Sequence, residues 1–302
     1  MVLNSIKCCI FAANITEMIK KLFTTLLLLF ILNNVWAQVE VSRDDSLLVV
    51  KLLEKAKTER AGENRMIYFG KQFLGLPYVA HTLENGDSEH LIVNLHGLDC
   101  TTFVETVTAL SLCDAHDQRT FSDYCRWLST IRYRHGKMTD YTSRLHYFTW
   151  WGEDNEQLGI VKSVYDPDVF VDTQTIDIYY MTKYPNYYKQ LKNHPQFISK
   201  IREYEKASKG EKYKFIPKRL LNMPQSSALG AVHDGDIVSM LTSKPGLDTQ
   251  HIGIAYWRDG HLHLMHASSL YKKVVMDTTT FYDYEQKQPN HTGIRVYRCV
   301  KF

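Results

Sequence analysis

From Asp236 onward, five short runs dictate what this chain can build: DIVSML, HIGIAYW, HLHLMHA, KKVVMD and GIRVYRCV. Each alternates or carries β-branched residues, and turn signals part them. Such closely spaced strands make an antiparallel sheet. The chain before them is helical in character. Residues 44–75 carry Leu47, Leu48, Val50, Leu52 and Leu53, then Ile67, Phe69 and Phe73. GLPYVAHTLENG (75–86) breaks the pattern as a loop, a helix is expected near 120–133, and 184–221 reads as one or two surface helices. Helices first and an antiparallel sheet later predict an α+β fold. No repeat, low-complexity stretch or linker divides the chain. The expected organisation is one domain over 38–302 with a helical insertion over about 117–225.

Within the sheet segment, Asp259 and Gly260 separate two strand-like runs, a strong two-residue hairpin signal. With those two as the loop, Arg258 pairs with His261, Gly253 faces His266 and His251 faces Ser268. Opposed residues share a face and the period is two, so His251 and His266 lie diagonally on one side. Ala255, Leu262 and Leu264 share that side, which is therefore expected to be the buried one, while His261 and His263 point away. Two histidines on an apolar face are costly unless they find partners. An H-x-H pair also suggests metal, but this register puts His261 and His263 opposite His251. The chain contains no H-E-x-x-H and no paired C-x-x-C, so no metal or other cofactor is expected.

A partner is available in HGLDCTTFVETVTAL (96–110). Phe103, Val104, Val107 and Leu110 recur at helical spacing, and Asp99 is a plausible cap, so Cys100 falls in the first turn. There the unpaired N–H groups and the helix dipole favour thiolate over thiol. A helix delivering that thiolate onto the histidine face would give a thiol hydrolase, with Cys100 as nucleophile, His251 as base and His266 as orienter. The bland alternative is a buried cysteine or half of a disulfide.

Composition sets the context. The 302 residues are 44% hydrophobic, ample for a packed core, and the net charge of +3 gives no reason to expect a nucleic-acid surface. MIKKLFTTLLLLFILNNVWAQ has two lysines, an apolar run from Leu22 to Leu32 and a small-residue pattern at Val35, Trp36 and Ala37. This reads as an export signal over residues 1–37, with Met18 as a possible true start. The apolar run is short for a membrane span, and no cysteine follows it to carry a lipid, so no stable anchor is expected after cleavage. Removing Lys7, Lys20 and Lys21 against Glu17 leaves +3 − 2 = +1. Cleavage also leaves Cys100, Cys113, Cys125 and Cys299, for which three pairings are possible.

Residues 133–155, YRHGKMTDYTSRLHYFTWWGEDN, set aromatics beside a guanidinium and hydroxyls. Aromatic faces suit a sugar or small peptide, and arginine can pair a carboxylate bidentately. Tyr141 and Arg144 are the leading candidate substrate contacts, with His146, Trp151 and Asn155 behind them. The alternative is an aromatic helix packed on the core, with Arg144 as a surface charge.

LGLPYVA, LDCTTFVETVTAL, DGDIVSM and HIGIAYW…LMHASS follow in the order found in NlpC/P60 cysteine peptidases, which the chain resembles. Thr101 and Thr102 stand where that family usually has Ser-Gly, and the usual Trp-Gly-Gly after Pro77-Tyr78 is missing. YRHGKMTDYTSRLHYFTWWGEDN and GLDTQHIGIA resemble a particular branch, DUF1460, described as N-acetylmuramoyl-L-alanine amidase-like. The resemblance covers most of residues 65–300. It implies a papain-like core with the nucleophile helix packed on an antiparallel sheet. It also implies cleavage of the amide between N-acetylmuramic acid and L-alanine in peptidoglycan fragments, and with it periplasmic residence. Tyr78 would then donate to the developing oxyanion or wall the site. The same machinery in a different register would be a γ-D-glutamyl–diamino acid endopeptidase. A non-catalytic muropeptide-binding protein is the alternative from another class.

Overall fold

The computed structural model describes residues 20–21 and 39–301. The chain divides into two units, Met1–Glu40 and Val41–Phe302. In the first, Lys20 and Lys21 are helical and residues 39–40 are extended. The apolar run, the cleavage pattern and Met18 lie outside the described residues. Among the described residues, no helix is long and apolar enough to cross a membrane.

The second unit opens with α1 (Arg43–Glu59), capped by Ser42, whose hydroxyl accepts from the Asp45 N–H. The helical stretch expected over 44–75 is broken where Ala61 and Gly62 take positive φ of 45° and 84°. Asn64 then restarts it as α2 (Arg65–Lys71), accepting from the N–H groups of Met66 and Ile67. α3 (Cys100–Ala115) and α4 (Phe121–Arg132) fall where the periodicity puts them. A capping box starts each, Asp99 with Thr102 and Thr120 with Asp123. The Thr102 hydroxyl accepts from the Asp99 N–H at 2.9 Å. Thr102 thus closes a reciprocal cap that a residue without a side-chain acceptor there could not make. α5 (Phe148–Gln157), α6 (Gln196–Ala207) and α7 (Phe281–Gln286) follow later.

Eight strands form one antiparallel sheet. They are β1 (Val161–Ser163), β2 (Asp172–Thr175), β3 (Lys212–Pro217), β4 (Ile237–Thr242), β5 (Thr249–Arg258), β6 (His261–Ser268), β7 (Lys273–Met276) and β8 (His291–Cys299). Their order is β2-β3-β8-β4-β5-β6-β7, with β1 also paired to β8. The five C-terminal runs are β4 to β8, as expected. The segment expected to be a helical insertion also supplies β1, β2 and β3. β1 and β2 are short and mostly not buried, so neither shows an apolar alternation. β3 lies inside the Lys/Tyr-rich stretch read as helix.

The hairpin register is the expected one, with Arg258 opposite His261, Ala255 opposite Leu264 and Ile254 opposite Met265. A Cβ on Gly253 would stand 2.7 Å from Leu264 Cδ1, 3.0 Å from the Met265 carbonyl oxygen and 3.1 Å from His266 Cβ, so a larger residue there would push on the His266 strand. Ala255, Leu262 and Leu264 join Val238, Met240, Val296 and Phe281 in a buried cluster on the histidine face. The opposite face is covered too. α2 and α3 pack there, with Gly70 of α2 in contact range of Met265 and Phe103. His263 is 5% exposed on that face, with Nδ1 3.1 Å from the Asp277 carbonyl oxygen. The helix that Cys100 opens, α3, therefore lies against the face opposite His251 and His266, not on their own face as expected.

Candidate active site

Cys100 opens α3, and the helix delivers it past the start of β5, where the Ile252 N–H bonds its sulfur. Immediately before His251 the β4–β5 register shifts. Met240 pairs with His251 but Leu241 with Thr249, leaving Gln250 as the extra residue. A bulge of this kind re-aims the next side chain. Cys100, Thr101, His251 and Ile252 line one cavity of about 220 Å³, so the thiol and the imidazole open on the same space.

His251 Nε2 lies 2.6 Å from His266 Nδ1, with the two rings nearly perpendicular at 77°. The diagonal relation read from the hairpin thus becomes a hydrogen bond. Tyr284 of α7 sets its ring edge-on to His266 at 5.4 Å and lies 6.5 Å from His251. Burial, then the neighbouring His266 and His291, hold the imidazole of His251 well below the ordinary histidine range, so it is neutral at pH 7.

The thiol departs from expectation. Burial and then the Asp99 carboxylate push Cys100 up to about 12, against the opposing hydrogen bonds from Ile252 and Thr101. The cap that starts the helix puts a negative charge beside the sulfur, which adds to its burial in opposing the thiolate. Cys100 is a resting thiol, not a thiolate. Tyr78 stands in the same field: burial, then Cys100 and Asp99, push its phenol up to about 12. Its N–H donates to the Lys272 carbonyl at 2.9 Å, and it bridges to Leu98, fixing the loop beside Cys100.

Tyr141, His146 and Trp151 line the cavity. Trp151 is 1% exposed and stacks on Phe148 at 5.0 Å. The rings of Tyr141 and His146 meet at 4.3 Å, and His146 Nε2 donates to the Tyr141 carbonyl at 2.8 Å. Burial, then Arg144, pull His146 down to about 3. Arg144 and Asn155 are not among the lining residues. The Arg144 guanidinium grips Glu89 bidentately at 2.9 and 2.7 Å, and also bonds Glu84 and the Leu83 carbonyl. With its donors spent on the 83–89 loop it is neither a surface charge nor a free carboxylate receptor. Asn155 is fully buried and donates to the Ile131 and Trp151 carbonyls, so it braces α5. Cys113, Cys125 and Cys299 are free, as is Cys100, which removes the half-disulfide reading.

Sequence reasoning missed Asp277, Tyr188 and Asp248. Tyr188 and Asp248 line the cavity. The Asp248 carboxylate accepts from the N–H groups of Thr149 and Thr249, which anchors the loop leading to His251. Asp277 Oδ2 lies 3.8 Å from His266 Nε2. One more application of the strand rule would have found it. Val275 opposes His266, and Asp277 stands two residues on, across from Leu264.

The profile of a family described as AmiA-like, N-acetylmuramoyl-L-alanine amidase-like, matches residues 68–294. Among solved structures, an N-acetylmuramoyl-L-alanine amidase from Bacteroides uniformis is 38% identical with a TM-score of 0.73, over 78% of this chain and 98% of that one. A Bacteroides fragilis protein named for a proposed xylanase activity is 40% identical with a TM-score of 0.71, over 76% and 99%. A Legionella pneumophila protein assigned to DUF1460, 22% identical with a TM-score of 0.63 over 85% and 95%, shares the fold. Among curated proteins none matches the chain.

Proposed function

The chain belongs to the N-acetylmuramoyl-L-alanine amidase-like family, and on that premise we propose that it hydrolyses the N-acetylmuramoyl–L-alanine amide of peptidoglycan fragments through Cys100. The observation that carries the reading is the His251–His266 hydrogen bond opening on the same cavity as a thiol at the start of a helix. In this reading both partners rest neutral, so His251 takes the Cys100 proton as sulfur attacks the lactyl carbonyl carbon. The Cys100 N–H and the Tyr78 hydroxyl donate to the oxyanion. The imidazolium of His251 then protonates the departing amine of L-alanine, leaving a lactyl thioester. Water, deprotonated by His251, attacks that thioester and releases the sugar acid with the thiol restored. No cofactor enters these steps.

Tyr141, His146, Trp151 and Tyr188 suit a sugar or peptide face in the cavity. A xylanase reading, prompted by one relative's name, needs a free pair of carboxylates flanking the bond. The carboxylates lining the cavity, Glu84 and Asp248, are committed to Arg144 and to backbone N–H groups. Export to the periplasm fits both the amino-terminal segment and a wall-fragment substrate. The NlpC/P60 likeness supports the thiol chemistry.

The test is mass spectrometry of a muramyl tripeptide incubated with the protein, with Cys100→Ala as control. A free sugar acid plus an intact L-alanyl peptide is expected. Release of the diamino acid alone would move the cut into the peptide and support the endopeptidase reading. Binding without turnover would leave a muropeptide receptor.

A further inference from the structure

We infer that Asp277 is a positioning residue that fixes the tautomers of both histidines, leaving His251 Nδ1 as the nitrogen that receives the Cys100 proton. The inference rests on the proposed thiol chemistry for its consequence, and for its substance on one hydrogen bond and the pose of a buried carboxylate. Three links run in series. Cys100 shares the cavity with His251, His251 Nε2 meets His266 Nδ1 at 2.6 Å, and His266 Nε2 faces Asp277 Oδ2 at 3.8 Å.

The far end of the series sets its direction. Asp277 and His266 are 3% and 0% exposed, so neither can turn to water. His266 Nε2 and Asp277 Oδ2 are both buried without a hydrogen-bond partner, and they face each other. Asp277 is held in that pose. Its Oδ1 accepts from the Thr279 N–H at 3.0 Å and from the Thr279 hydroxyl at 2.7 Å, which leaves Oδ2 turned toward the ring. The Tyr256 hydroxyl donates to its carbonyl oxygen at 2.6 Å, and His263 Nδ1 meets the same oxygen at 3.1 Å, so the backbone is pinned as well.

A neutral imidazole carries one proton. If His266 carried it on Nδ1, a bare nitrogen lone pair would face a carboxylate oxygen in a dry site, and neither would have a donor. With the proton on Nε2, His266 turns its N–H toward the Asp277 carboxylate, and Nδ1 is free to accept. The 2.6 Å contact then requires His251 to donate from Nε2. That leaves a lone pair on His251 Nδ1. One carboxylate therefore aligns two rings so that the His251 nitrogen left without a proton is Nδ1, on the histidine that lines the same cavity as Cys100. The ionised state this needs is the one the site favours, because, against burial, the neighbouring His266 imidazole and the two Thr279 donors hold the Asp277 carboxyl below its usual range.

Asp277→Asn tests the direction, because the amide is isosteric but can turn a donor toward His266. The amide N–H would then bond His266 Nε2, His266 would donate from Nδ1, and the His251 proton would move to Nδ1. Nitrogen-15 NMR of histidine-labelled protein, with His251 and His266 assigned from single substitutions, reads this directly. In wild type, His251 Nδ1 and His266 Nδ1 are expected to be unprotonated at pH 7, and both are expected to become protonated in Asp277→Asn. Muropeptide hydrolysis should fall roughly 10²- to 10⁴-fold, the range for losing a general base, with unchanged circular dichroism. A wild-type His251 protonated on Nδ1 would overturn the inference, and so would an Asn variant that keeps the wild-type tautomers and its rate within a few-fold. Should the variant fail to fold, the wild-type spectrum decides alone. Should wild type cleave no muropeptide, the proposed reaction fails while the spectra still decide the tautomers.

Discussion

His146 gives the sharpest quantitative test of how the cavity wall is built. Burial, then the Arg144 charge, holds this imidazole down to about 3, against 6.5 in the unfolded chain. Between those values the unfolded state binds a proton that the folded state refuses. Stability is therefore fully present above pH 6.5 and is lost as pH falls below it. From 6.5 to pH 5 is 1.5 units, which at about 1.36 kcal/mol per unit amounts to about 2 kcal/mol. For a chain of this size that is roughly 4–8 °C in Tm. The wild-type profile alone does not isolate the effect. His251 titrates in the same direction, and Glu153 opposes it: burial, then Glu211, hold that carboxyl up to about 8, so its contribution grows as pH falls from 8. The decisive quantity is a difference. His146→Gln keeps a donor for the Tyr141 carbonyl and cannot protonate. Thermal melts at pH 7.5 and pH 5 should show wild type losing about 2 kcal/mol more than this variant. Equal losses in the two proteins would refute the claim that His146 is held neutral by its surroundings.

Other expectations follow from the same geometry. With His251 held well below 6.5 and Cys100 raised to about 12, kcat/KM should be flat across neutral pH and fall only on the acid side below 6.5. An acid limb at or above 6.5 would contradict the buried neutral base. Iodoacetamide should alkylate Cys100 slowly at pH 7 and steeply faster with rising pH, whereas rapid, pH-independent labelling would reveal a resting thiolate. Glu105→Ala should cost about 3–5 kcal/mol by stranding Arg132, whose Nε lies 2.7 Å from Glu105 Oε2 in the core between α3 and α4. The double change Glu105→Leu with Arg132→Met should recover most of that in urea denaturation, and no recovery would mean that packing, not charge, sets the cost. Arg144→Met should loosen the 83–89 loop, seen as faster amide exchange there. Unchanged protection would show that the loop stands without its ion pairs.

What could be read in advance was whatever depends on short-range rules. The Asp259-Gly260 turn fixes a register, the register fixes faces, and faces brought His251 to His266. The α3 start was legible because a cap and an apolar stripe both announce it. Long-range charge was not legible. Arg144 looked available because its partners Glu84 and Glu89 sit in a loop some sixty residues away, and nothing local ties them to it. The burial that opposes a thiolate at Cys100 was not legible for a related reason, since a helix terminus is a local feature but burial is set by the whole fold. Which sheet face α3 would choose depended on α2 and Met265, far away in sequence. β1 and β2 left no trace because marginal strands need no apolar alternation.

The cavity draws its wall from His81 and Glu84, from Cys100, from 141–151, from Tyr188 and from 247–252. No contiguous segment holds more than a part of it. Closing the chain between residue 100 and residue 251 is a long loop, the kind of contact that forms late and all at once. A nascent or partly unfolded chain therefore carries the cysteine and both histidines without a working arrangement of them. Proteolytic nicking that releases any one of these segments should silence the protein outright, without leaving a slower or less selective form. The topology makes the assembled cavity an all-or-none property of the finished molecule, whereas before folding Cys100 is an ordinary thiol, free of the burial that pushes it up to about 12.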